Sequence, residues 1–305
     1  MFGRRKTPAR PLIEIDKEKL EQLGNQKLYV LFLQDNWKQL SRKSRLALLQ
    51  EVENRRAAAD GREPARLVIG EDESFRNNPG LMGSYHPGTK EIMVNYRFLD
   101  GDSGLHSGMS ALGTVLHEGR HAFQFDSMDK NDGRIPAQVL KEWFSSKAMY
   151  FSSGGSTTQE RIKNFSLYQL QPIEMDARRF SRKHLIQVYM DMRSSGIPTD
   201  DIQNEITRAL QIEVGLIQNV RNVLTLEDID KAEREVLDAM REVYPDMDLE
   251  GLTLFDNARM ILKAGNLSSI NDYLNLINEM DRIEEAKLNR IRDQKLISIR
   301  DRKKL

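Results

Sequence analysis

Hydrophobic and polar positions along this chain recur mostly at helical spacing, and one stretch shows the shorter period of strands. Two helical segments open it, at about 16–39 and 42–59. The second follows Ser41, a suitable N-cap, carries Leu46, Leu48, Leu49 and Val52, and runs out at Asp60-Gly61. The texture changes at residue 65. Ala65 to Gly70 reads as a short strand. Gly83-Ser84-Tyr85 and Glu91 to Asn95 flank Pro87-Gly88, a turn signal that predicts a β-hairpin. Helical spacing returns over 108–125, where Ala111, Leu112, Val115, Leu116, Ala122 and Phe123 recur with the helical period. Residues 126–170 read as a polar connection holding one helix near 136–149 and a run from Ser152 to Thr158 that is flexible by composition. Another helix starts near Pro172 and continues to about 194.

Beyond Gly196-Ile197-Pro198 nearly everything reads as helix. Thr199 caps one segment. Thr225 with Asp228 gives a capping-box pattern that opens the next, which stops before Pro245. A short helix over 253–264 ends at Gly265, and a last one runs from about Ser268 to the C-terminus. No internal repeat is visible. The expected organisation is an N-terminal arm with helices over 1–64, an α+β core over 65–195 that contains the 126–170 insertion, and a mostly α-helical region over 196–305.

Composition narrows the chemistry. Charged residues make up 30% of the 305, yet the formal net charge is zero. That balance removes any whole-chain attraction to nucleic acid or anionic lipid, so nucleic acid is not an expected partner. No cysteine is present, so disulfides and thiolate metal sites are excluded, and a metal must rest on histidine and carboxylate. No stretch approaches the roughly 20 apolar residues of a membrane helix, and the basic N-terminus runs into no signal-peptide-like segment. A cytoplasmic protein is expected, with secretion as an effector by a route that uses no such signal left open. The last 19 residues hold eight Lys or Arg against two Asp. Leu276, Met280, Ile283, Leu288 and Ile291 give partial helical periodicity along the final predicted helix, which suits a protein partner through the C-terminal helices.

The chemistry centres on His117-Glu118-Gly119-Arg120-His121, in the 108–125 helix. Positions i and i+4 share a helix face, so both imidazoles can reach one cation. Zinc suits them, because it accepts imidazole nitrogen and carboxylate oxygen in tetrahedral coordination. Glu118, one residue after the first ligand, is placed to take a proton from a water that the cation activates. A catalytic zinc site needs a third protein ligand and an open position. Downstream, Glu174 and Asp176 in Pro172-Ile173-Glu174-Met175-Asp176-Ala177-Arg178-Arg179-Phe180 offer two carboxylates at the start of a helix. The bland reading of those two is first-turn acids that complement the helix dipole.

The HExxH helix, followed by Glu-x-Asp-Ala-x-x-Phe on a second helix, resembles the ImmA/IrrE-like zinc metallopeptidases. The Gly83, Tyr85 and Ile92-x-Val94-Asn95 hairpin also looks like the edge strand that precedes the motif in that family. The resemblance covers roughly residues 65–185. It implies a zincin-like metallopeptidase core, Glu174 as third zinc ligand and Asp176 in support of the site. Two features depart from the pattern. Fifty-three positions separate His121 from Glu174, so the 126–170 segment has to loop out, and the helical C-terminal half has no counterpart.

Other polar residues are softer candidates. His106, just before the motif helix, and Tyr168 and Tyr85 are candidates for polarising or stabilising a carbonyl oxygen. Arg120 and Arg178 flank the ligands, His86 reads as a solvated turn residue, and His184 lies about three turns beyond Glu174 on one helix, too far for the same metal. The expected function is a zinc-dependent metalloprotease acting on a protein or peptide, with Glu118 as general base. The strand around Ile92 to Asn95 is the expected seat for a substrate added as a β-strand. Two alternatives stand beside it. One is a toxin-like protease effector; the other is an inactive or structural scaffold whose helical region is an interaction module.

Overall fold

The computed structural model describes residues 13–286 apart from 79, 102–105, 152–153, 266 and 284. The basic stretches at 1–12 and 287–305 lie outside the described residues. In chain order the elements are α1 (Lys17–Gln22), α2 (Asn25–Val30), α3 (Gln34–Trp37), α4 (Arg42–Asp60), β1 (Arg66–Gly70), α5 (Glu73–Asn77), β2 (Gly83–His86), β3 (Glu91–Asn95) and α6 (Arg97–Asp100). Then follow α7 (Gly108–Lys130), α8 (Ala137–Ala148), α9 (Thr158–Leu170), α10 (Pro172–Ser194), α11 (Asp200–Val223), α12 (Leu226–Val243) and α13 (Asp256–Lys263). A further helical stretch covers 270–283. The described residues are therefore helix-rich with one small mixed sheet.

Two compact units divide it: residues 1–126 with 177–207, and residues 127–176 with 208–305. In the first unit the expected 16–39 helix is broken into α1, α2 and α3. Gly24 and Leu33 adopt extended backbone at ψ 155° and 142°, which turns the chain. The turning buries Leu20, Leu28, Phe32 and Trp37 completely, which one straight helix with a single apolar stripe would not do. α4 starts where Ser41 accepts from the Ser44 N–H, and stops at Gly61. Gly61 sits in the left-handed region at φ 69°, so the carbonyls of Ala57 and Ala58 are satisfied by the turn that follows.

The sheet has the order β1-β3-β2. β1 pairs parallel with β3, Leu67 opposite Ile92, and β2 pairs antiparallel with β3, Tyr85 opposite Ile92. The hairpin is thus as expected, but β3 is the central strand. Both of its edges are occupied, so Ile92 to Asn95 cannot accept a further strand. β2 is an outer strand of the sheet. The core of this unit joins Leu48, Leu49 and Val52 of α4 with Ile92 and Val94 of β3. It also takes in Leu112, Val115 and Leu116 of α7, and Leu185, Val188 and Met192 of α10.

The second unit is helical. The 126–170 segment is more structured than a polar connection, because it holds α9 as well as α8. Thr157 opens α9 with a capping box, its side chain accepting from the Glu160 N–H while Glu160 accepts from the Thr157 N–H. The Ser and Gly residues ahead of α9 hid that start, which the Thr157-x-x-Glu160 spacing encodes. α12 opens on the Thr225–Asp228 capping box and packs on α8 and α13. Trp143, Leu167, Leu224, Ile229, Val236, Met240 and Phe255 are among its buried apolar residues. Among the described residues no helix is long and apolar enough to cross a membrane.

Candidate metal centre

Two helices carry the site. α7 presents His117 and His121, and Glu174 stands in the first turn of α10. Within the first unit these helices approach closely at Gly113, where Ser181 Oγ of α10 donates to the Gly113 carbonyl at 2.8 Å. A Cβ on Gly113 would lie 3.3 Å from Leu185 Cδ1. Eight residues onward from Gly113 along α7 is His121, and seven residues back from Ser181 along α10 is Glu174. Both steps are about two turns, roughly 10–12 Å. His117, His121 and Glu174 each offer one ligand atom, and these atoms all lie within 4.8 Å of one another. It is the one such group found among the described residues.

The donors are oriented as metal ligands are. His121 Nε2 and His117 Nε2 face each other at 3.2 Å. Two nitrogens sharing a tetrahedral cation at roughly 2.0–2.1 Å stand about 3.3 Å apart. His121 Nδ1 lies 2.8 Å from Gln124 Oε1. Because that oxygen only accepts, it fixes the proton on Nδ1 and leaves the Nε2 lone pair for the site. Gln124 is fully buried. The Tyr150 hydroxyl donates to Glu174 Oε1 at 3.0 Å and so orients the carboxylate. Glu174 and His121 are buried and His117 half-buried, so the group is sheltered without being closed to solvent. Two imidazole nitrogens and a carboxylate oxygen in this arrangement can bind a metal ion.

Glu118 is buried beside the histidines. It lies against the outer strand: a Cβ on Gly83 of β2 would come within 3.2 Å of Glu118 Cγ and 2.7 Å of Thr114 Cγ2. Glycine at 83 is what lets the strand approach this turn of α7. Asn95 N–H bonds the Met82 carbonyl at 2.9 Å, and in the alternating antiparallel ladder Ser84 and His86 then also face β3. The N–H and C=O groups of Gly83 and Tyr85 therefore point outward from the sheet. The Tyr85 ring, tilted against Phe125 at 5.9 Å, keeps this strand along α7.

On another side of the motif a buried ion pair grips the helix. Arg62 donates through both terminal nitrogens to Glu53, at 2.6 and 3.0 Å, and through Nη2 to the Gly119 carbonyl at 3.0 Å. Neither side chain is more than 1% exposed.

Not every sequence candidate joins this group. Asp176 is half-buried, and two residues beyond Glu174 it is turned about 200° around α10, away from the ligand face. The Tyr168 ring stands edge-on to Tyr150 at 5.7 Å, and Tyr150 is the tyrosine whose hydroxyl reaches Glu174. His106 packs edge-on against Phe98 at 5.7 Å, beside Gly101. The Arg120 guanidinium lies over the rings of Phe123 and Phe180. His184 receives Arg56 Nη1 on Nε2 at 2.9 Å and bonds the Phe180 carbonyl through Nδ1 at 3.1 Å, which requires a neutral ring. Burial, the main cause, and the Arg56 charge lower its pKa, against the Phe180 bond that raises it.

Gln124 and Tyr150 were missed in the sequence. Gln124 had a signal, since i+3 from His121 shares its face of the helix. Tyr150 had none, because it comes from another helix end. Comparison of the chain with protein-family models, curated proteins and solved structures finds no match, so the reading of this centre rests on its own residues.

Proposed function

We propose that this chain is a zinc-dependent metallopeptidase that hydrolyses peptide bonds of a protein substrate, with a zincin-like core similar to that of the ImmA/IrrE-like family. One observation carries the reading. Two histidine nitrogens converge at 3.2 Å beside a buried glutamate, and another buried glutamate follows the first histidine directly. His117, His121 and Glu174 would hold the ion. Zinc bound there supplies a Lewis acid that activates water and polarises a carbonyl. A purely structural site has no use for a base beside its ligands, and Glu118 is that base.

The protein residues divide the remaining work. Glu118 takes the proton of the attacking water and delivers it to the leaving amine. Gln124 keeps His121 in the tautomer that offers Nε2, and Tyr150 holds the Glu174 carboxylate. The outward backbone groups of Gly83 and Tyr85 receive an extended substrate as an added strand, which lays its peptide bonds along α7 beside Glu118. This assigns to β2 the role that the sequence suggested for β3.

The test is metal analysis and proteolysis of the purified full chain, on an unfolded protein such as casein. Glu118→Ala should retain zinc and lose cleavage. Glu174→Ala should bind zinc more weakly. Wild type that holds no zinc after reconstitution would overturn the proposal, as would Glu118→Ala that cleaves like wild type.

A further inference from the structure

The second unit contains a cavity of about 400 Å³ lined in part by Met149, Tyr150, Phe151, Leu167, Leu224 and Ala232. Its apolar floor is well formed: Phe151, Leu167, Leu224 and Ala232 are all buried. Polar groups ring it, and they already have partners. Lys163 pairs with Asp228 at 2.8 Å, and Asp228 also closes the Thr225 cap. Glu160 is held by Ser156 and Thr157, Asn164 donates to the Gly154 carbonyl, and Lys231 lies 3.8 Å from Glu235.

Tyr150 belongs to both places. It lines this cavity, and its hydroxyl bonds Glu174 of the candidate metal centre. About half of its surface is exposed, so one open side chain belongs to both the cavity wall and the setting of the carboxylate. We infer that this cavity is a specificity pocket, which takes a large uncharged side chain, aromatic or aliphatic, of the substrate residue bound next to the metal centre. The inference rests on the metallopeptidase reading and adds the substrate class to it.

Charge and size select that class. An ionic side chain entering the cavity would lose water and meet charges that are already neutralised, which is unfavourable. A small side chain would leave most of the space unfilled. A phenylalanine, methionine or leucine side chain gains contact with the apolar floor at no electrostatic cost.

Two measurements on the full-length protein decide it. In the first, methionine-methyl ¹³C NMR follows Met149 while N-acetyl-phenylalanine amide, N-acetyl-alanine amide or N-acetyl-arginine amide is added. The Met149 signal should move and saturate with the phenylalanine probe alone. No movement, or equal movement with the arginine probe, overturns the pocket. In the second, cleavage sites in casein are mapped for the zinc-loaded wild type and for Ala232→Phe, which fills the floor. Wild type should favour large apolar residues at one fixed position from the cut. The variant should lose that preference, measured against sites with alanine there, by a factor on the order of 10 to 100. An unchanged preference in a folded Ala232→Phe overturns the pocket. If that variant fails to fold, the NMR titration of wild type decides alone. Zinc-loaded wild type that cuts nothing would instead sink the peptidase reading, and the Met149 titration would still decide the cavity.

Discussion

Gly119, inside the metal-binding motif, should be irreplaceable by alanine for a reason that helix propensity gets wrong. In an exposed helix interior, glycine to alanine stabilises by about 1 kcal/mol. At position 119 the new Cβ would lie 2.7 Å from Glu53 Oε2. That oxygen terminates a side chain, but not a free one. Arg62 holds the carboxylate with two nitrogens, the Ala65 N–H bonds it at 2.8 Å, and it is wholly buried. Relief requires about 0.7 Å of movement to reach ordinary contact at 3.4 Å. Either α7 moves, taking His117 and His121 with it, or the ion pair opens.

Overpacking of this kind costs about 1–3 kcal/mol, and stranding one member of a buried pair costs about 3–5. Against the propensity gain, Gly119→Ala should lose roughly 2 kcal/mol net. Urea unfolding measures it, with two internal controls. Gly215→Ala in α11 meets nothing within 4 Å and should gain about 0.5–1 kcal/mol. Gly113→Ala meets Leu185 Cδ1 at 3.3 Å, a contact that small adjustment relieves, and should be near neutral. Gly119→Ala as stable as Gly215→Ala would refute the argument that the pair is rigid.

Three further outcomes are expected. Chelation should lower the unfolding free energy by about 2.7 kcal/mol relative to protein in zinc at 100 times its dissociation constant, and His121→Ala should abolish that difference; a His121→Ala protein stabilised by zinc like wild type would count against the site. Tyr150→Phe and Gln124→Leu remove the hydrogen bonds to Glu174 and His121, so competition with a chromogenic chelator should show zinc affinity falling about 10- to 100-fold in each. His184 gives a pH signature. Its folded-state pKa lies below the ordinary 6.5, chiefly because it is buried, so the unfolded chain binds the proton more readily. Its neutral form costs nothing above pH 6.5, and stability should fall as pH drops below that value toward the lowered pKa. Melting curves between about pH 5 and 7.5 should flatten in His184→Asn; an equal slope in wild type and variant would remove His184 as the cause.

Much of the fold was legible because it is written in local rules. The Ser41 cap, the Thr225–Asp228 box and the β-hairpin each depend on residues within a few positions of one another. The errors came where tertiary packing decides. The opening segment has enough helical spacing for one helix, but four large residues on different sides of it are all buried, and only a chain broken at Gly24 and Leu33 achieves that. The place of β3 at the centre of the sheet is likewise non-local. Its eastward or westward neighbour cannot be read from alternation, because β1 joins it in parallel from more than twenty residues away.

The candidate site divides along the same line. His117, Glu118 and His121 are one turn of one helix, and their closeness follows from spacing alone. What orients and surrounds them arrives from elsewhere: Glu174 on α10, Tyr150 after α8, Gly83 on β2, and the Glu53–Arg62 pair from and just beyond α4. Glycine marks two of those arrivals. Position 83 lacks a side chain so that a strand edge can lie against Glu118, and position 119 lacks one so that a buried carboxylate can lie against the motif helix. In the sequence, Gly119 fills one of the two unspecified places of the motif and brings no side-chain chemistry to it. The fold gives that place a strict requirement. Residue 119 is no member of the candidate ligand group and is constrained by its neighbours, so substitutions there test whether the helix is held in register rather than whether a ligand is present.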